Sequence, residues 1–146
     1  MDPKQKKDTG LDEGALPQLL GYRLRLAQQA VFRDFVASVQ GLSPGRVGLL
    51  ITIDANPGIT QSRLAEAARR DRSTMVGVLD QLGARGLVER RRGADRRTNG
   101  LWLTRAGRAL LARALRNIAR HEQRIAARLS PAERRQLLDL LGKISG

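Results

Sequence analysis

The chain contains no cysteine and a single histidine. Thiol redox chemistry, disulfide frameworks and thiolate metal sites are therefore excluded, and a lone imidazole without a second His or Cys at ligand spacing does not suggest a metal. Aromatic residues are only 3% of the sequence, one Trp, one Tyr and two Phe. That scarcity argues against an RNA reader that stacks bases on aromatic platforms. No apolar run approaches the ~18 residues needed to span a membrane, and Met1 to Gly10 lack the apolar core of a signal peptide. A cytoplasmic protein without membrane contact is the expectation. There is no glycine-rich phosphate loop, nucleophile elbow or recognisable carboxylate pair, so neither an enzyme nor a cofactor is expected. Acidic residues are also few: 14 against 27 basic ones, for a net charge of +13 over 146 residues.

What is present in abundance is arginine. Residues 60–100 hold ten arginines against five acids, and residues 101–146 hold nine arginines and a lysine against three acids. A balance of this kind favours polyanionic partners. The excess peaks in one segment. Leu87-Val88 reads as a short strand, followed by Arg90, Arg91, Arg92, Arg96 and Arg97 around a Gly/Asp/Asn-rich turn. A second strand, Leu101-Trp102-Leu103, leads to a helix start at Thr104. A protruding basic ribbon beside a helix suits a nucleic-acid duplex, because arginine forks match phosphates and enter a narrow groove.

The rest of the chain reads as helices. Residues 1–12 form a charged tail. From Glu13 to Gln40, apolar residues including Leu16, Leu20, Leu24, Val31 and Phe35 recur at helical spacing. Ser43-Pro44 opens a second helix, apolar around most of its circumference, which Asn56-Pro57-Gly58 ends. Thr60 caps a third helix, Gln61 to Ala68; Asp71 caps a fourth, Arg72 to Arg85, and Gly86 closes it. Met75, Val78, Leu79 and Leu82 form one stripe of the fourth helix, while Arg72, Ser73, Val76, Gly77 and Asp80 point elsewhere. Two short helices joined by a tight turn describe a helix-turn-helix, and the hairpin follows it as a wing. Thr104 then caps a long helix to about Leu129, with a heptad-like seam of Leu111, Leu115, Ile118, Glu122, Ile125 and Leu129. Ser130-Pro131-Ala132-Glu133 is a capping box that opens a last helix rich in Leu and Ile. The fold class is thus mainly α with a small β-hairpin wing. A winged helix-turn-helix lobe spans 43–103, and helical dimerisation segments span 13–42 and 104–146. The alternative for the terminal helices is that they fold back on their own core.

Taken together, these signals resemble the MarR-type transcription regulators across residues 13–145. The matching stretches are Asn56-Pro57-Gly58-Ile59-Thr60-Gln61-Ser62-Arg63-Leu64-Ala65, Asp71-Arg72-Ser73-Thr74-Met75-Val76, and Leu82 to Arg90. The wing matches at Asp95-Arg96-Arg97, Leu103-Thr104 and Gly107. The resemblance implies a homodimer on a pseudopalindromic double-stranded operator, with a small-molecule site between the DNA-binding lobe and the dimerisation helices. Two positions depart from the pattern: Arg69-Arg70 replaces a small and an apolar residue, so that Arg70 should face solvent or phosphate. Gly77 stands where many relatives carry a larger contacting side chain, which shifts specificity towards the wing and DNA shape.

The expected DNA contacts are Arg70, Arg72, Ser73, Thr74 and Gly77 in and before the recognition helix, and Arg90, Arg92, Asp95, Arg96 and Arg97 in the wing. Arg72 is the candidate for a bidentate guanine contact. Asp95 can hold Arg97 extended towards a minor groove. The resemblance places an effector among the first, second and fifth helices, where Tyr22, Arg23, Arg25, Arg46 and His121 are polar candidates. Their arginines suit an anionic ligand, an aromatic carboxylate or its CoA thioester. His121 is expected at the dimer seam. The functional expectation is a sequence-specific repressor released by that ligand; the alternative is a ligand-independent basic architectural protein on DNA or RNA.

Overall fold

The computed structural model describes residues 10–93 and 99–146. The elements are α1 (Leu20–Ser38), α2 (Pro44–Ala55), β1 (Ile59–Thr60), α3 (Gln61–Ala67), α4 (Arg72–Ala84), β2 (Val88–Arg92), β3 (Asn99–Leu103), α5 (Arg105–Ile125) and α6 (Pro131–Ser145). The chain divides into two compact units, one ending at Arg33 and the other running from Asp34 to Gly146. α5 and α6 fall in the same unit as the winged elements.

Every anticipated cap from the second helix onward is made. The hydroxyls of Ser43, Thr60, Thr104 and Ser130 and the carboxylate of Asp71 each accept from the backbone N–H three residues on. Ser130 and Glu133 complete the reciprocal capping box. Gly86, with φ +69°, closes α4 in the left-handed conformation that a side chain disfavours. The first helix differs from expectation. It begins at Leu20, not Glu13, because a 3-10 turn at Leu16–Gln18 built around Pro17 is set off by Leu19 in extended backbone (ψ 124°). α5 likewise stops at Ile125 instead of Leu129. The wing strands are longer than their apolar cores, so Arg90, Arg91 and Arg92 lie within β2 itself.

The sheet holds a third strand that local pattern did not reveal. β1 pairs antiparallel with β3 (Ile59 opposite Leu101), and β3 pairs with β2 from Val88–Leu103 to Arg92–Asn99. Leu50, Ile53, Leu64, Met75, Leu79, Leu82 and Leu101 are completely buried at the meeting of α2, α3, α4 and the sheet. Each such side chain is worth roughly 1.5–3 kcal/mol of transfer free energy, whereas an exposed ion pair contributes about 0–1 kcal/mol. Apolar burial, not surface charge, therefore holds the recognition helix in place. Gly107 sits where the start of α5 crosses the start of β2, and a Cβ there would overlap the Leu87 carbonyl oxygen. The Thr104 hydroxyl donates to the Gly86 carbonyl at 2.6 Å across the same crossing.

α5 carries two apolar stripes. Leu111, Ala114 and His121 face the core, while Leu115 and Ile125 of the anticipated seam stay exposed, as does Leu129 just beyond it. α6 has no buried residue: Leu137, Leu138, Leu140, Leu141 and Ile144 are all exposed.

Candidate nucleic-acid interface

The buried stripe of α4 fixes which side of that helix looks outward. With Met75, Leu79 and Leu82 in the core, Arg72, Ser73, Val76, Gly77 and Asp80 are exposed. Gly77 leaves this face open, since a Cβ there would meet nothing within 4 Å. At the helix start, Asp71 accepts from the Thr74 N–H (2.7 Å), the Ser73 hydroxyl (2.7 Å) and the Thr74 hydroxyl (2.8 Å). The backbone bond from Thr74, followed by the Ser73 hydroxyl, pulls the Asp71 carboxyl down to about 2. Ser73 and Thr74 have thus committed their protons internally, and towards DNA they present lone pairs. Arg72 has no ion-pair partner among the described residues and is free to reach outward.

The turn before the recognition helix is built differently from expectation. Arg69 adopts φ +51°, the left-handed position that makes the turn tight. Its guanidinium donates to the carbonyls of Ser145 (2.9 Å) and Gly146 (3.0 Å). Arg70 does not simply face solvent. It is half-buried, and its guanidinium lies over Gly45 of α2, where any side chain would collide with Nη2.

In the wing, alternation along β2 sorts the arginines. Arg90 Nη2 donates to Asp80 Oδ1 on the recognition helix at 2.9 Å and lies within 3.5 Å of Gln61 Oε1 on α3. It therefore acts first as a brace between wing and helix. Arg92 shares that face two residues on and has no ion pair with a described residue. Arg91 lies on the other face, paired with Glu89 and stacked 5.3 Å from the centre of the Trp102 ring. Asp95, Arg96 and Arg97 lie outside the described residues.

Of the five effector candidates, Tyr22, Arg23 and Arg25 lie in the N-terminal unit and Arg46 and His121 in the other. In the N-terminal unit, the Tyr22 hydroxyl donates to Glu13 at 3.1 Å, Arg25 stacks over the Tyr22 ring, and Arg23 donates to the Pro17 carbonyl at 2.7 Å. Arg46 donates to Gln81 of the recognition helix. His121 is not at an exposed seam: it is buried in the chain's own fold, edge-on to Phe35 at 5.6 Å, with Nδ1 2.7 Å from Asp34 Oδ1. Around that bond lies a constellation the sequence did not reveal. Arg124 meets Asp34 fork to fork, Nη2 to Oδ1 at 2.8 Å and Nε to Oδ2 at 3.1 Å, and also reaches Ser38. Arg124, and then His121, hold the Asp34 carboxyl far below the usual carboxylate range. Beside it opens a cavity of about 360 Å³ lined by Asp34, Ala37, Ser38, Asn117, Arg120 and Arg124. A second, about 370 Å³, shares Ser38 and Asn117 and adds Gln40, Leu110 and Arg113. The available signal was the spacing Arg113, Asn117, Arg120, Arg124, steps of four, three and four that share one helix face.

A helix-turn-helix with an exposed polar face, flanked by a braced basic hairpin, defines a winged-helix DNA-binding regulator. The comparisons agree. A sequence profile of the MarR family matches residues 42–98. The chain is 41% identical over 138 residues to a putative transcriptional regulatory protein for the hcr operon of Thauera aromatica, covering 92% of this chain and 83% of that one. Among solved structures, the transcriptional repressor CouR bound to a 23-mer DNA duplex superposes with a TM-score of 0.88 at 42% identity, covering 93% of this chain and 99% of that one. CouR bound to p-coumaroyl-CoA gives 0.85 at 40% identity, with 92% and 97% covered. The PcaV regulator of Streptomyces coelicolor in complex with its natural ligand gives 0.83 at 29% identity, with 92% and 97% covered. The chain belongs to the MarR family of transcriptional regulators.

Proposed function

We propose that the protein is a homodimeric repressor that binds a pseudopalindromic operator and is released from it by an anionic ligand, an aromatic acid or its CoA thioester. The observation that carries the DNA half is the exposed face of α4 beside a wing that Arg90 braces against it. Arg72 reads a base edge from the first turn of the recognition helix, where side chains enter a major groove. Ser73 and Thr74 accept from base or water donors, and the bare surface at Gly77 lets the helix approach closely. Arg92, Arg96 and Arg97 supply phosphate and groove contacts that give affinity and register. Arg70 is placed to reach phosphate only after leaving Gly45.

The ligand half rests on charge. The α1–α5 cavities are lined by arginines on a face of α5 that carries no acid. The related repressor CouR is seen with p-coumaroyl-CoA, which sets the class to test first. The two recognition helices of a dimer must sit about one DNA turn apart, roughly 34 Å, so a ligand that favours another spacing releases DNA. Reciprocity then requires DNA to weaken the ligand by the same factor, typically about 5–150-fold.

The experiment selects a duplex from a random library, screens aromatic acids and their CoA thioesters by thermal shift, and measures hit affinity by calorimetry with and without that duplex. Equal ligand affinity in both states would refute ligand-driven release. Salt-dependent binding to every duplex alike would instead indicate an architectural protein.

A further inference from the structure

We propose that the α1–α5 cavity is a phosphate-recognition site in which Asp34 stands in for the ligand, occupying the Arg124 fork until a phosphate group displaces it. The inference rests on the reading of the chain as ligand-responsive and specifies the chemistry of the ligand's anionic end.

Three observations carry it. First, the Asp34–Arg124 pair has the two-bond geometry in which a guanidinium also receives a phosphate. Secondly, the partners differ in freedom. Asp34 is also tied to His121, which is 3% exposed, and to Ser38, whereas the Arg124 side chain is 50% exposed. When the pair separates, Asp34 stays and Arg124 swings. Thirdly, groups able to receive a phosphate flank the fork without a partner among the described residues. Arg120 and the Asn117 side-chain amide line the same cavity, the one with no ion pair and the other with no hydrogen bond among the described residues. Arg113 and Arg116 extend the basic face along α5. From 113 to 124 that face runs about 16 Å at 1.5 Å per residue, long enough for more than one phosphate. Among the described residues, Asp34 is the one acid that bonds to it; Glu122, on the far side of α5, pairs with Arg134 at 3.1 Å.

The exchange is favourable because a phosphate dianion can engage Arg120 and Arg124 together, whereas Asp34 is a monoanion that, of these two arginines, bonds Arg124. It also has a structural consequence. Arg124 bonds to Asp34 and Ser38, and so joins α5 to the last turns of α1. A ligand that takes Arg124 leaves, among the described residues, the polar part of that joint to His121.

The probe is inorganic pyrophosphate, titrated calorimetrically at low salt into the wild type, Asp34→Asn, Arg124→Gln and, as a control on α6, Arg135→Gln. Removing the competitor should tighten binding at least about five-fold in Asp34→Asn, a change of about 1 kcal/mol. Arg124→Gln should weaken it at least about ten-fold, and Arg135→Gln should leave it unchanged. In the wild type, the Arg124 Nε–H resonance should move on titration while the His121 Nδ1 bond persists. Should Asp34→Asn fail to fold, Arg124→Gln and the resonance still decide, since neither disturbs the bond between Asp34 and His121. The proposal is overturned if Asp34→Asn binds no tighter, if Arg135→Gln loses as much as Arg124→Gln, or if pyrophosphate binds neither the wild type nor Asp34→Asn. It is also overturned if Arg120→Gln and Arg124→Gln weaken duplex binding without ligand and leave pyrophosphate affinity intact, for the stripe would then be a DNA contact. If pyrophosphate behaves as described but neither an aromatic acid nor its CoA thioester releases DNA, the site stands and the repressor reading fails. If p-coumaroyl-CoA releases DNA equally from the wild type and Arg124→Gln, the site falls and the repressor reading stands.

Discussion

Asp71 shows how one side chain sets up the surface that meets DNA. It caps α4 through the Thr74 N–H and at the same time orients the Ser73 and Thr74 hydroxyls. These bonds favour the carboxylate and lower its pKa from 3.8 to about 2. A depressed folded-state pKa means that the stabilisation is fully present above the unfolded value and is lost as pH falls through the folded one. Asp71→Ala should therefore lower the melting temperature at pH 7, and the gap from the wild type should shrink as pH drops from 3.8 towards about 2. Thermal melts of both proteins across that range check it; a gap that does not change with pH would show that the carboxylate charge contributes nothing. The cap itself was legible in sequence, because an Asp before a helical stripe has a local meaning. The bonding of Ser73 and Thr74 back to it was not, because hydroxyls at a helix start serve DNA and backbone equally well. Asp34, His121 and Arg124 were illegible for a different reason: 87 and 90 residues separate the partners, and nothing local marks a long-range pair.

At the level of elements, the wing is joined to the recognition helix through β2. Arg90 ties β2 to Asp80 of α4, and β3 is anchored on its other edge by β1. β1 went unread because two residues give no alternation, and Thr60 also announces a helix. The helix start at Leu20 was misplaced because Leu16 continues the apolar spacing through a turn that Pro17 makes 3-10. The hairpin itself, the α4 stripe and its exposed face were correctly legible, since all three are written in local periodicity. The division of labour between the two elements yields a prediction. Arg97→Ala should weaken binding to the selected duplex by about 1–3 kcal/mol per subunit and lessen its salt dependence, whereas Arg105→Ala, exposed at the start of α5, should have little effect. Arg72→Ala should reduce discrimination between the selected duplex and its base-substituted variants more than it reduces non-specific affinity. Salt titrations on matched and mismatched duplexes separate these outcomes. Equal, negligible losses at Arg97 and Arg105 would remove the wing from the interface, and a uniform loss at Arg72 would make it a phosphate contact.

For the whole molecule the governing fact is apolar surface left uncovered. A core built on α2, α3, α4 and the sheet needs only the inner stripe of α5, and Leu115, Ile125 and Leu129 remain outside it. α6 adds Leu138 at 58% exposed and Ile144 at 54%, on a helix that buries nothing of its own. A soluble monomer rarely keeps so many large apolar side chains together in water, and a symmetric second copy covers them at the least cost in new sequence. α6 touches the winged lobe through Arg69 on the Ser145 and Gly146 carbonyls, but it buries none of its own residues. Truncation after Leu129 should therefore abolish dimerisation and give a monomer or an aggregate. It should also lower affinity for a two-half-site duplex by about 10²–10⁴-fold, because the second half-site is no longer tethered. Leu138→Glu, which adds a charge to the same face while keeping the helix and the Arg69 contacts to Ser145 and Gly146, should act in the same direction. Sedimentation equilibrium at micromolar concentration reads the assembly directly. A full-length protein that sediments as a monomer there, or a Leu138→Glu variant that remains a tight dimer, would move the interface away from α6.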